Sequence, residues 1–503
     1  MKKKIMNSKY ISLVALLLVF LACNEPADVL EDYNIDNNTE TENLPALASG
    51  EANFSTYVAL GNSLTAGFSD GTVFKAAQEN SYPSIMASIF SQIGGGNFTQ
   101  PLVNDNFGGL AVNGTRIADP RLVFGGSGPV PLESVIGPVT VTTDIVLNNP
   151  AGPFNNMGVP GAKSFHLLAN GYGNLANFPA AANPYFIRMT GATPNASVIE
   201  LAMAQNPTFF SLWIGNNDVL GYATTGGDGS NPITDEATFN FAYTTLVNTL
   251  TSGGAKGVVA NIPYVTDIPH FTTVPYNPIP LDANTAAALN QGYAPYNGGI
   301  QQALAALAGT GLFSAEEAAA RTITFSEGAN NAMVIIDESL TDLGAINPAF
   351  AALPKYRQAT ADDLFVLPLA SLIPQGYGTQ IPLEDKWVLI PSEQAEIKTA
   401  IDAFNATIQA AASQAGLAFV DANAILNQVA NNGIASGNYI LTSSLVTGGA
   451  FSLDGVHLTS RGYALAANEF LKAIDATYNT NFEVSGNLVD IGTYRTNYSP
   501  LLQ

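Results

Sequence analysis

The stretch YVALGNSLTAG (57–67) decides how this chain is read. An apolar run, Tyr57 to Leu60, meets a glycine; Ser63 follows two residues later, and Gly67 four after that. A short apolar run closed by glycine predicts a buried strand that ends in a turn. Ser63 then stands either at the end of a strand, where a nucleophile can be presented, or only at the polar corner of a turn. Glycines bracket both, because glycine enters positive φ at no steric cost. The stretch alone leaves the two readings open.

Working outward, similar runs recur at TFFSLWIG (208–215), AKGVVANIP (255–263) and LAFVDA (417–422). Between them lie amphipathic segments that predict helices: SYPSIMASIFSQI (81–93), DEATFNFAYTTLVNTLTS (235–252), SEQAEIKTAIDAFNATIQAAASQ (392–414) and TSRGYALAANEFLKAIDATY (459–478). Their starts carry Ser, Asp or Thr where an N-cap belongs. Alternating strands and helices predict an α/β layered fold. Two regions look like additions to it. Residues 96–154 are rich in turn residues, and the alternating run VTVTTDIVL (139–147) predicts a hairpin. Residues 264–390 hold Pro-rich loops, an Ala-rich helical stretch (299–321) and further strand and helix segments. A structureless loop of that length is improbable, so a subdomain or lid is expected, with a separate second domain as the alternative.

Composition narrows the function classes. Hydrophobic residues make up 47% of the 503 and charged residues 12%, which suits a large core and not a disordered tail. Lys and Arg number 18 against 40 Asp and Glu, a formal charge of −22 that argues against a nucleic-acid partner. At the start, MKKK precedes the apolar ISLVALLLVFLA (11–22), which is short for a membrane span and reads as an export signal. Cys23, the only cysteine, follows Ala22 as in a bacterial lipoprotein signal, where it would be acylated; an ordinary signal peptide with a chance cysteine is the alternative. Residues 24–50 are acidic and Asn-rich, a solvated tether. The folded domain is expected over 51–480, with a C-terminal extension over 481–503. A lipid anchor places the protein at a membrane, with the outer membrane or cell surface expected over the inner membrane.

A serine nucleophile needs a base, usually an imidazole. The chain has three histidines: His166, His270 and His457. His457 lies in FSLDGVHLTSRGY (451–463), three residues after Asp454, a spacing that lets the carboxylate meet Nδ1–H and fix the tautomer. TDIPH spells the same spacing with Asp267 and His270, but inside the Pro-rich insertion; His457 is the preferred base. His166, in KSFHLL, reads as a surface or core residue, or a substrate contact. Oxyanion donors are available from NMGVPGAK (156–163) and GNND (215–218): the N–H of Ser63, the N–H of Gly161 and the Asn217 amide. No cluster has metal-ligand spacing, so neither a metal nor another cofactor is expected.

Taken in order, GNSLTAG, NMGVPGAK, GNND and DGVH resemble the four blocks of the SGNH (GDSL) hydrolase family. The resemblance implies a three-layer α/β/α sandwich with a mostly parallel, flavodoxin-like sheet, here with an inserted subdomain. It implies Ser63 as nucleophile, His457 as base, Asp454 as its orienter, and Ser63, Gly161 and Asn217 as the oxyanion hole. One departure stands out: Asn62 occupies the place of the family's usual aspartate. The expected activity is serine esterase or acylhydrolase action on a carboxylic ester, lipid-like or lysophospholipid. Apolar stretches such as FTTVPYNPIP and LFVLPLASLI would suit a lid over an acyl chain or simply fill the insertion's own core. Carbohydrate O-deacetylation is the alternative substrate reading, and a non-catalytic surface protein binding a glycan or partner is the alternative class.

Overall fold

Val58, Ala59 and Leu60 of β1 (Tyr57–Gly61) are wholly buried, as are Phe209, Phe210 and Leu212 of β3 (Phe209–Trp213). Strands covered on both faces lose the polar alternation of a one-sided sheet, which is why these runs are almost continuously apolar. The exception, Ser211, is paid for by a buried 2.7 Å hydrogen bond with the Tyr57 hydroxyl. With β2 (Asn156–Gly158), β4 (Lys256–Ala260) and β5 (Ala418–Val420), they form one parallel sheet in the order β5-β4-β3-β1-β2. Gly61, the last residue of β1, pairs with Gly158 on one side and Trp213 on the other.

This computed structural model describes residues 44–503. The signal segment, Cys23 and most of the tether lie outside the described residues. The chain divides into two compact units, one made of 47–483 with 487–503. Of the other, the described residues are the irregular 44–46 and a turn at 484–486.

Around the sheet run α1 (Ser63–Ala66), α2 (Tyr82–Phe90), α3 (Asn217–Thr224), α4 (Glu236–Thr251), α6 (Pro391–Ala415), α7 (Ala422–Asn431) and α8 (Ser460–Tyr478), while α5 (Ala283–Ala306) lies in the insertion over 264–390. On one face α2 packs with α8, and Tyr82 stacks on Phe470 at 4.8 Å. On the other α4 packs with α6, and Phe239 stacks on Phe404 at 4.0 Å. The fold is therefore a three-layer α/β/α sandwich with flavodoxin-like strand order, whose topological switch point falls between β1 and β3. Helix ends follow local chemistry. Asp235 caps α4 through the Thr238 N–H, and Thr459 caps α8 through the Gly462 N–H. Pro391 opens α6, and Gly416 closes it at φ 64°.

The insertions depart from the sequence reading in detail. The run 139–147 forms no hairpin. Asp144 accepts the N–H groups of Val146 and Leu147, folding the run into a turn, and only a single parallel bridge joins it to Ala111. Side-chain capture of backbone donors has beaten β-propensity there. The Ala-rich region is two helices, α5 and Ala315–Arg321, not one stretch over 299–321. Residues 264–390 hold a small core of their own around Ile300, Ala303, Ile323 and Val334.

β2 was not legible as a strand, because NMG carries no β-favouring residue but Met157. It is fixed by Asn156, whose side chain donates to Thr65 O at 2.9 Å and accepts the Gly158 N–H at 3.0 Å. Gly158 faces α1 so closely that a Cβ there would lie 2.3 Å from Ala66 N and 2.6 Å from Thr65 C. Gly158→Ala should therefore destabilise the fold by about 1–3 kcal/mol, the cost of overpacking against backbone. Urea unfolding against wild type measures it, and an unchanged midpoint would contradict this packing.

Candidate active site

Three neighbouring strands, β2, β1 and β3, each deliver one polar group to the carboxyl edge of the sheet. After β1, Ser63 is the first residue of α1 and is 7% exposed. After β2, Gly161 adopts φ +80° in the left-handed region and is exposed. After β3, Asn217 opens α3. Among the described residues, the N–H groups of Ser63 and Gly161 have no protein acceptor, so both are free to donate to a group from outside. Asn217 donates one amide hydrogen to Ala162 O at 2.9 Å and has a second to offer. Ser164 donates both its N–H and its hydroxyl to Asp218 at 2.8 Å, fixing the loop after β2 to the start of α3. Asp218 is fully buried; burial raises its pKa, and the Ser164 bonds oppose the rise.

The distal loop brings the base. His457 Nε2 lies 2.9 Å from Ser63 Oγ, and His457 Nδ1 lies 2.9 Å from Asp454 Oδ2. A carboxylate only accepts, so Nδ1 carries the proton and Nε2 is left to accept the Ser63 hydroxyl. Asp454 Oδ1 also accepts the N–H groups of Val456 and His457, both at 2.8 Å. Burial alone would raise the Asp454 pKa. The His457 charge and these hydrogen bonds outweigh it and hold the carboxyl well below the usual range. Phe68 covers the imidazole, with ring centroids 4.3 Å apart.

A turn just beyond α1 clamps this loop. Gly71 N–H donates to Asp454 Oδ2 at 2.8 Å, the oxygen that also meets His457. Leu453 N–H donates to Asp70 Oδ1 at 3.1 Å, and Asp70 N–H donates to Ser452 Oγ at 3.0 Å. Asp70 sits at φ 52° and is 2% exposed. Nothing in a single sequence marks Asp70 as part of the site. Asn62 and Asn216 do lie in the GNSLTAG and GNND stretches, but their pairing is not written there. Asn62 Oδ1 accepts the Leu64 N–H at 3.1 Å, as a carboxylate would, while its Nδ2 donates to Asn216 Oδ1 at 3.2 Å, as a carboxylate cannot.

The other histidines are placed apart from this relay. Asp267 and His270 do not pair; both ring nitrogens of His270 are buried without a hydrogen-bond partner. Its backbone N–H instead donates to Gly455 O at 2.9 Å, so the insertion packs behind the Asp454 loop. Burial lowers the His270 pKa, with Asp454 acting the other way. His166 stacks on Tyr172 at 4.6 Å, and its Nδ1 accepts the Lys163 N–H at 3.0 Å. Burial and the neighbouring Lys163 push its pKa down to about 4, a neutral packing residue at ordinary pH.

Ser63, Asn217 and His457 also line a cavity of about 110 Å³. Its walls are otherwise almost wholly carbon, with α7 and α8 among the elements that supply them. From the insertion over 264–390 only Val265 and Ile268 reach it. The stretches FTTVPYNPIP and LFVLPLASLI do not; their Phe271, Val274, Phe365 and Leu369 are buried in the main core. Among the described residues, one cluster, Glu338, Asp385 and Glu393, has carboxylates close enough to share a cation; none of the three lines this cavity.

No protein-family model matches this chain, and no curated protein matches it. Among solved structures it is similar to an extracellular lipase from Streptomyces rimosus, at 13% identity over 84% of this chain and 98% of that one. The TM-score is 0.26, too low for the likeness to bear on fold or activity.

The buried Asp70 gives the site a pH signature. Burial is the main cause of a pKa raised to about 7, reinforced by Asp454 and opposed by the Leu453 N–H and Arg121. Unfolded, an aspartate titrates near 3.9. Between these values the folded chain keeps a proton that the unfolded chain has released, so stability declines as pH rises from about 4 to about 7. Asp70→Asn cannot titrate. Its thermal midpoint should gain on wild type across that window and keep a constant offset outside it; a constant offset throughout would contradict the buried acid.

Proposed function

We propose that this protein is a serine carboxylic-ester hydrolase of the SGNH (GDSL) type, acting through Ser63, His457 and Asp454. The observation that carries the reading is the continuous relay Asp454 Oδ2–Nδ1 His457 Nε2–Oγ Ser63, with 2.9 Å at both steps. Ser63 Oγ attacks the ester carbonyl carbon while His457 Nε2 takes its proton. Ser63 N–H, Gly161 N–H and the free Asn217 amide hydrogen receive the oxyanion. His457 then returns the proton to the departing alcohol, leaving an acyl-serine. Water, deprotonated by His457, attacks that acyl group and releases the acid. Donors held in place before the reaction stabilise the developing charge without reorganisation.

The substrates we favour are lipid-like esters, lysophospholipids included, because the space beside Ser63 is walled by carbon. A polysaccharide deacetylase would need room only for an acetyl group there. Neither does Asn62 argue for a non-catalytic relative, since it keeps the Leu64 hydrogen bond that the family's aspartate would make.

A serine-directed fluorophosphonate should label the wild type at Ser63 and leave Ser63→Ala unlabelled. His457→Ala should lower ester turnover by about 10⁴-fold or more, the usual cost of losing a triad base. His270→Ala should leave turnover within a few-fold. Loss of labelling on removing His270, with His457 dispensable, would overturn the assignment.

Export and lipidation belong to the same proposal: Cys23 acylated, the folded domain tethered at a membrane, in the outer membrane or at the cell surface. Metabolic labelling with palmitate should mark the wild type and not Cys23→Ser. Equal labelling of both would remove the anchor.

A further inference from the structure

Resting on the esterase reading, we infer that Asn183 is a positioning residue of the oxyanion hole: its side-chain amide holds the Pro160–Gly161 peptide in the orientation that leaves the Gly161 N–H available to the substrate.

The loop after β2 turns on one peptide plane. Ala162 N–H donates to Val159 O at 3.0 Å, closing a four-residue turn with Pro160 and Gly161 at its centre. Proline holds φ at about −65°. Gly161 stands at φ +80°, so the turn is of type II. Type I and type II turns differ chiefly in the orientation of the central peptide, which is reversed between them. The Pro160–Gly161 bond is trans, so its C=O and its N–H point in opposite directions. Whichever way Pro160 O faces, Gly161 N–H faces the other. Reversing the plane would put a carbonyl oxygen where the donor stands, and a carbonyl oxygen repels an oxyanion.

The other donors of the turn are already engaged. Val159 N–H donates to Gly61 O at 3.0 Å, Ala162 N–H closes the turn, and proline has no N–H. The orientation of a single peptide therefore decides whether this loop offers a donor or an acceptor.

Asn183 makes that choice. Its Nδ2 donates to Pro160 O at 2.8 Å and to the Tyr172 hydroxyl at 3.1 Å. Its Oδ1 accepts the N–H groups of Tyr185 and Phe186, at 2.9 and 3.2 Å, as the cap of the short helix Pro184–Ile187. Reversing the amide would set oxygen against the Pro160 oxygen and NH₂ against two N–H groups, so the network fixes which atom is which. The backbone N–H of Asn183 donates to Tyr172 O at 2.7 Å, and both Tyr172 and Phe186 are buried in the main core. The amide is thus anchored to the sandwich. Packing around Gly161 does not do this work: a Cβ there would meet only Asn183 Nδ2, at 3.8 Å. What holds the peptide is the Asn183 hydrogen bond, added to the type II preference of a Pro-Gly pair.

The test is steady-state hydrolysis of p-nitrophenyl acetate by the full chain, with active sites counted by fluorophosphonate titration. Asn183→Ser and Asn183→Asp both keep an oxygen for the helix cap and lose the donor to Pro160 O. In Asn183→Ser, kcat per titrated site should fall about tenfold, less than the cost of losing an oxyanion donor outright, because Pro160 and Gly161 still favour type II. Asn183→Asp should fall further, about 10²-fold, because its carboxylate repels Pro160 O and pairs with the Gly161 N–H once the plane reverses. KM should stay within about threefold in both variants. The Ki of a trifluoromethyl ketone, whose serine adduct carries an oxyanion, should rise in step with the loss of kcat. Gly161→Ala disfavours the same turn, so combining it with Asn183→Ser should give less than the product of the two losses. Unchanged kcat in both variants, a loss explained by fewer titrated sites, or a fully multiplicative double variant would overturn the role of Asn183 and leave the esterase standing. Wild-type protein that neither turns over the ester nor takes the fluorophosphonate would overturn both.

Discussion

The 2.9 Å contact between His457 Nε2 and Ser63 Oγ joins residues 394 apart in the chain, and the proposed chemistry depends on its being held. The sheet does not hold it, because His457 lies on a loop and not at a strand end. What holds it is the turn at 69–72. Its Asp70 and Gly71 grip the 452–454 backbone and the Asp454 carboxylate, and Ser69 Oγ donates to Leu458 O at 3.1 Å on the far side of His457. Because this turn begins three residues after α1, His457 is referenced to Ser63 by a covalent path of a few residues. An imidazole free to sample rotamers would lose the alignment that makes proton transfer fast. The clamp thus converts a distant loop into part of the β1 turn.

The same economy explains the other half of the site. Strand order β2-β1-β3 makes neighbours of three loops that are far apart in sequence, and a flavodoxin-like sheet opens its crevice at that switch point. Ser164–Asp218 and Asn217–Ala162 then tie the outer loops to each other. With these bonds made inside the protein, the N–H groups of Ser63 and Gly161 remain unspent.

The layered fold was legible because its strands are buried on both faces, which writes continuous apolar runs such as FFSLW, and because its long helices carry ordinary caps at Asp235 and Thr459. Three of the four polar motifs, GNSLTAG, GNND and DGVH, were legible because each follows a strand or precedes a helix that could be recognised. β2 was not, since pairing to β1 and the Asn156 side chain make it a strand, and neither is local. The Asp70 clamp was invisible for the same reason: its partners are 382 and 383 residues away. The apolar stretches of the insertion misled in the other direction. Hydropathy says that a segment is buried, not against what, and Phe271 and Phe365 are buried against the main core and not around the cavity.

Asn62 is best understood through charge. The protein carries a formal −22, and Asp454 already places a carboxylate directly behind the base. A second carboxylate beside Ser63 would oppose the negative oxygen that develops during attack, and in a partly desolvated site such repulsion is poorly screened. An amide keeps the hydrogen bond to the Leu64 N–H without the charge, and gives its own donor to Asn216, immediately before Asn217. Asn62 therefore supplies a cross-link between the β1 and β3 loops where an aspartate would supply a charge. The front of the site becomes a set of neutral amides and backbone donors, and the single carboxylate in the relay stays on the far side of the imidazole, where its charge stabilises the imidazolium.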